Sequence, residues 1–211
     1  MSLKKYFDQV FCINLNRRKD RWSETVTELR KWDLLNDVNR YLGIDGHKLT
    51  YDKKKLRVNP GELGLLKTHI KLLQLSKTKK YKNILIIEDD IEFTKEIKNL
   101  DKYMSSVPKD WDILYFGGNH NLHEGEKLDK INDNIIKCSR TYTTHCIVLR
   151  NTIYDKCLNL IKDCEKPVDV YYSDLQKELN AYSFYPNIAL QRESFSDIQN
   201  KVENNYRVLQ V

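Results

Sequence analysis

The chain alternates between short unbroken hydrophobic runs and longer stretches in which apolar residues recur every three or four positions. Residues 10–15, interrupted only by Asn14, and residues 84–87 are runs of the first kind. Lacking polar residues in alternate places, such runs predict strands covered on both faces, as in a sheet flanked by helices. Trp22, Val26, Leu29 and Trp32 mark one helix by their spacing; Leu65, Leu66, His69, Leu72, Leu73 and Ser76 mark another. The second has a legible start in Asn59-Pro60-Gly61-Glu62. Asn caps, Pro suits the first helical position, and Glu62 three residues after the cap completes a capping box. Further along, the pattern predicts a helix near 94–104, a strand over 111–116 closing on Gly117-Gly118, and a strand over 146–149. Helices over 152–162 and 168–179 and a last strand over 182–185 follow. Residues 42–46 read as a short strand ending in an Asp-Gly turn, 47–58 as a basic loop and 119–136 as an irregular excursion. Strands alternating with helices make the expected fold α/β, with a mostly parallel mixed central sheet flanked by helices.

The run at 84–87 ends in three acids, Glu88, Asp89 and Asp90. Open α/β sheets place their ligands where strands leave the core. Three carboxylates crowded there repel one another unless solvent dilutes their charge or a cation holds it. Glu88 and Asp90, two positions apart on an extended segment, lie on one side of it and make a candidate metal pair.

Composition narrows the class. At 211 residues, 40% apolar and 31% charged, with seven Gly and four Pro, this is expected to be one globular domain. No apolar run approaches the ~20 residues that span a bilayer. The first residues carry Asp8 inside their apolar stretch and read as a strand, not as a signal peptide. Five cysteines without a CxxC pair point to reduced, buried thiols in a cytoplasmic protein and argue against zinc. The formal charge of +6 is spread over short lysine clusters, either a solvated surface or an attraction for an anionic ligand. Basic residues interleaved with aromatics, as in a nucleic-acid groove, are missing, so no nucleic-acid partner is expected and a nucleic-acid-associated basic domain is the weaker alternative. Oligomeric state is not legible.

An aliphatic strand ending in acids also opens response-regulator receiver domains. Here the following strand, DILYFGG, ends in glycines with no aspartate to phosphorylate. Several blocks together, in order, resemble glycosyltransferase family 25, the lipopolysaccharide and procollagen galactosyltransferases: FCINLNRRKDRW, LGIDGHKL, NPGELGLLKTHIKLLQ, ILIIEDDIEF, DWDILYFGG, THCIVLRNTIYDKCLNLI and PVDVYYSDLQKEL. Departures are Thr68 in place of the family's Ser before His69, Gly118 where the collagen enzymes tend to carry Arg, and a short 47–58 stretch.

The resemblance implies a GT-A-like Rossmann-type nucleotide-binding fold, residues 1–118 forming a nucleotide- and metal-binding half and 119–211 an acceptor-side half. It implies inverting transfer of a hexose, galactose from UDP-galactose being the first choice, to a hydroxyl acceptor on a glycan or protein, with Mn²⁺ or Mg²⁺ as cofactor. A degenerate member that binds nucleotide or glycan without turnover is the alternative. Asp90 is the first metal ligand, with Glu88 or Asp89 assisting. Asn14, Arg17, Arg18 and Arg21 are candidates for nucleotide contact, since Arg suits phosphate and carbonyl recognition. Asp45 is either a ribose or base acceptor or an ordinary turn residue, and His69 either a binding residue or a core histidine. Asp169 is either the base that deprotonates the acceptor or a cap on the helix after Pro167; Asp174 and Asp112 are weaker candidates.

Overall fold

Ile84, Leu85, Ile86 and Ile87 have no exposed surface, and their side chains go alternately to two faces of a sheet. The computed structural model describes residues 2–51, 58–163, 165–196 and 201–203. The first strands are β1 (Gln9–Leu15), β2 (Asn39–Gly43), β3 (Asn83–Glu88), β4 (Ile91–Phe93) and β5 (Ile113–Tyr115). Then come β6 (Asn119–His120), β7 (Asp129–Asn132), β8 (Ile135–Lys137), β9 (Thr141–Tyr142), β10 (Cys146–Arg150), β11 (Ala181–Phe184) and β12 (Ala189–Gln191). The helices are α1 (Lys19–Lys31), α2 (Pro60–Lys79), α3 (Leu100–Ser106), α4 (Tyr154–Ile161) and α5 (Val168–Leu175).

Eight strands form one sheet in the order β2-β1-β3-β10-β5-β11-β8-β7. Phe11, Ile84, Ile86, Ile113 and Leu149 face a core with α2, α4 and α5. Val10, Leu85, Ile87, Leu114 and Val148 face the opposite core with Leu29 of α1 and Leu100 of α3. Covering both faces is what requires an uninterrupted aliphatic run in β3, each side chain contributing roughly 1.5–3 kcal/mol.

The architecture is the expected α/β one, a mixed sheet flanked by helices. Its parallel part is smaller than the alternation of strands and helices suggests. Parallel pairing joins β1 to β2 and β3, and β5 to β11, whereas β10 runs antiparallel to both neighbours. The stretch expected to be irregular instead supplies the hairpin β7–β8, which adds antiparallel to β11. Its signal is weak because β7 is largely exposed and only Ile135 and Ile136 are buried in β8. The side chain of Asn132, accepting from the Asn134 amide at 2.9 Å, makes the turn between them. β4 and β12, absent from the sequence expectation, pair as a small separate ribbon.

The capping box forms as read: Asn59 Oδ1 accepts from the Glu62 amide at 2.9 Å, and Glu62 Oε2 accepts from the Asn59 amide at 2.7 Å. Against this helix start lies the 43–48 loop, in a contact only glycine permits. A Cβ on Gly46 would sit 1.6 Å from the Pro60 carbonyl oxygen, and one on Gly64 2.4 Å from that of Ile44. Thr68 Oγ1 accepts from the Ile44 amide at 2.9 Å and fixes the same approach. Cys12, Cys138, Cys146 and Cys157 are free and buried, as expected, while Cys164 and residues 52–57 of the basic 47–58 loop lie outside the described residues. Among the described residues no helix is long and apolar enough to cross a membrane.

Candidate active site at the ends of the parallel strands

β1 and β3 are neighbours with Ile13 beside Glu88, so the segments leaving both strands meet. They form one wall of a cleft of about 530 Å³, with Asn14, Arg17, Arg21, Asp45, Glu88, Asp89 and Asp90 in its lining. The other wall includes Tyr142, Thr143, Thr144 and Asp169, so both halves of the chain contribute.

Asn14, the polar interruption of the first run, is 1% exposed. Its Nδ2 donates to Asp89 Oδ2 at 2.5 Å and to the Arg18 carbonyl at 2.9 Å, and its Oδ1 accepts from Arg40 Nε at 3.0 Å. Arg21, in the first turn of α1, is likewise buried. Its Nη2 lies 2.5 Å from Asp89 Oδ1 and 2.8 Å from Asp90 Oδ2. One guanidinium therefore answers two of the three acids, a source of positive charge beyond the solvent or metal inferred from the sequence. The turn's backbone is pinned too: Thr25 Oγ1 donates to the Asp89 carbonyl at 2.8 Å and the Arg192 amide to the Asp90 carbonyl at 2.6 Å.

Glu88 Oε1 accepts from Thr144 Oγ1 at 2.7 Å. Burial, reinforced by the charge of Asp90, pushes the Glu88 carboxyl well up. Burial also lifts Asp89, to about 6, against the pull of Arg21. Asp90 is 8% exposed, and its Oδ1 is buried without a hydrogen-bond partner among the described residues. No group of three or more His, Cys, Asp or Glu side chains among those residues is arranged to hold a metal alone. The donors nonetheless fit a hard divalent cation of the Mg²⁺ type, which takes one or two carboxylates and fills its remaining positions with water and phosphate. Asp90 through its orphaned Oδ1 and Glu88 are the residues that would hold it.

On the same wall, Arg17 Nε lies 3.0 Å from Asp45 Oδ2, and Asp45 Oδ1 accepts from the His47 amide at 3.2 Å. Asp45 is thus both the cap of its turn and a cleft residue. Opposite, Asp169 is the second residue of α5. Burial raises its carboxyl even though the amides of Thr143 and Val170 donate to it. Thr143 is held at φ +73°, a left-handed conformation rare for a β-branched residue and an observed strain at the cleft.

Two expected site residues do not reach the cleft. Arg18 pairs with Asp20, with Nη2–Oδ2 at 2.8 Å, its carbonyl accepts from Asn14, and it is not among the lining residues. His69 is fully buried, its Nδ1 3.1 Å from Tyr172 Oη; of the Thr68–His69 pair it is Thr68 that lines the cleft. The helical face carrying His69 points into the core, whereas Thr68 sits one residue round. Asp174 pairs with Lys166, and Asp112 accepts from Thr152 and the Asn180 amide; neither is among the lining residues.

Burial lowers His69 to about 3. It stays neutral in the fold while the unfolded chain protonates near 6.5, so this stability is present above that value and lost as pH falls below it. Between about pH 7.5 and about pH 5 the expected loss from this one group is about 2 kcal/mol. Urea denaturation at the two pH values checks it: His69→Gln loses that much less than the parent on acidification.

No family model matches the chain. It is 27% identical over 162 residues to procollagen galactosyltransferase 2 of Mus musculus, covering 67% of this chain and 26% of that protein. It is 27% identical over 166 residues to the probable inactive glycosyltransferase 25 family member 3 of Bos taurus, covering 69% and 28%. The chain resembles the glycosyltransferase 25 family. It spans about a quarter of the length of these relatives. Among solved structures, A197 from STIV is similar over 92% of both chains, at TM-score 0.47 and 11% identity. Within the family 25 resemblance, the blocks FCINLNRRKDRW, LGIDGHKL, ILIIEDDIEF and PVDVYYSDLQKEL all bring residues to one cleft. Tyr142, Thr143, Thr144 and Gln191 line it as well and were not singled out by sequence. The one signal for the first three was the polar TYTTH stretch directly before an apolar strand; Gln191 had none.

Proposed function

We propose that the chain is a glycosyltransferase domain that moves a hexose, galactose from UDP-galactose first among the candidates, to a hydroxyl acceptor on a glycan or protein by inverting displacement. The observation that carries this reading is the shared cleft: the acidic end of β3 lines it with Asn14 and Arg17, and a half-buried carboxylate from the other half of the chain, Asp169, lines it too. Residues 1–118 would bind the nucleotide and 119–211 would present the acceptor. A bound Mn²⁺ or Mg²⁺ would supply Lewis acidity toward the leaving diphosphate. Arg17 is placed to donate to phosphate or base, and Asp45 to accept from ribose hydroxyls. Burial favours the protonated form of Asp169 and brings its carboxyl toward the range where a general base works.

UDP release from a panel of UDP-hexoses, with and without Mn²⁺, tests the reading. Metal-dependent release from at least one donor is expected. If UDP with Mn²⁺ raises the melting temperature yet no sugar is released, the chain is a binding-only member, a reading favoured by the Bos taurus relative being named inactive. Asp169→Asn is expected to lower kcat by roughly 10²–10⁴. Because the base acts deprotonated, the parent's kcat falls as pH drops through the raised Asp169 value, and that acid limb vanishes in the variant. A variant that keeps both rate and limb removes Asp169 from the chemistry.

A further inference from the structure

Glu88, Asp89 and Asp90 are not equally available to a cation. Asp89 is saturated: Oδ1 faces Arg21 Nη2 at 2.5 Å, Oδ2 accepts from Asn14 at 2.5 Å, and its carbonyl accepts from Thr25 and from Arg192 Nη2 at 3.2 Å. Asp90 gives Oδ2 to the same guanidinium, and Glu88 gives Oε1 to Thr144. What remains is Asp90 Oδ1, a buried atom on a residue 8% exposed that lines the cleft, and the rest of Glu88.

The geometry points to Arg21 as a resident counter-ion that holds Asp89 and Asp90 in the nucleotide-free protein and leaves a divalent cation a seat of two carboxylates, completed by the phosphates of the nucleotide. The inference rests on the donor reading above and adds the order of assembly. A hard cation seeks six or more oxygens; this wall offers two carboxylates and sets a fixed positive charge beside them. Arg is suited to the task because it stays charged, and here one of its nitrogens, Nη2, meets both carboxylates. Metal and nucleotide must then strengthen each other's binding by the same factor.

The test reads free Mn²⁺ by its aqueous paramagnetic resonance signal, with UDP alone as the nucleotide and no turnover involved. The unaltered chain is expected to bind Mn²⁺ at least tenfold more weakly without UDP than with it. Arg21→Met is expected to bind Mn²⁺ alone at least tenfold more tightly than the parent, with the UDP effect reduced, because both aspartates are released to the metal. Equal Mn²⁺ affinity with and without UDP in the parent overturns the proposal. So does a folded Arg21→Met chain, judged by circular dichroism, that binds Mn²⁺ alone no better. Should that variant not fold, Arg21→Lys replaces it: the lysine side chain is one bond shorter and its ammonium falls short of the place Nη2 holds between the two aspartates, so Mn²⁺ alone must bind more tightly than to the parent, and unchanged binding overturns the proposal. Tight Mn²⁺ binding without UDP, beside normal release of UDP from a UDP-hexose, defeats this inference and leaves the transferase reading standing. UDP that never binds defeats that reading, and the coupling with it.

Discussion

Gly46→Ala is expected to dismantle the donor wall of the cleft and lower the melting temperature by ~6–12 °C. The added Cβ would lie 1.6 Å from the Pro60 carbonyl oxygen, with the Gly64 amide nitrogen at 2.9 Å. Both obstacles are backbone of the capped start of α2, and no rotamer change relieves them. Overpacking costs about 1–3 kcal/mol where side chains can shift. Here the main chain must move, so the upper value is the floor, and each kcal/mol is worth ~2–4 °C in a chain of this length. Differential scanning calorimetry reads the shift. Because the 43–48 loop carries Asp45, which pairs with Arg17 after β1, affinity for UDP should fall along with stability. A variant that melts within ~2 °C of the parent would show the loop is free to lift away from the helix.

Asp90→Ala is expected to behave in the opposite manner, losing turnover while keeping the fold. Asp90 carries the buried orphan oxygen of the cleft, and a Lewis-acid contribution of several kcal/mol corresponds to a loss of at least ~10³ in kcat. Stability should change little, within about 1 kcal/mol, because the substitution relieves repulsion among three neighbouring acids while Arg21 keeps Asp89. UDP release and thermal unfolding of one preparation measure both. Retention of turnover to within about tenfold would remove Asp90 from the chemistry.

What could be read in advance follows from where the information lies. β1, β3, α1 and the capping box of α2 announce themselves because each obeys a local rule: a run buried on two faces, a 3.6-residue period, or a cap. Direction of pairing is not local. Nothing within CIVLR states that β10 lies antiparallel between β3 and β5. The hairpin β7–β8 was hidden for another reason, a solvent-facing strand carrying almost no hydrophobic signal. At the cleft, the acids and Asn14 stand out as polar residues in apolar runs, whereas the sequence offers Arg21 only as a candidate for nucleotide contact. Only the tertiary structure sets it between Asp89 and Asp90. His69 misled because a histidine on an apolar helical face reads the same whether it points inward or toward a ligand. Its contact with Tyr172, over a hundred positions away, decides it.

The brace on the acidic turn comes from just beyond β12, through the Arg192 amide on the Asp90 carbonyl. A nascent polypeptide emerging from the ribosome has all three acids by residue 90 but acquires their last fastener only at residue 192. Until then the three acids lack this hydrogen bond, which becomes available only after every strand of the eight-stranded sheet has been made.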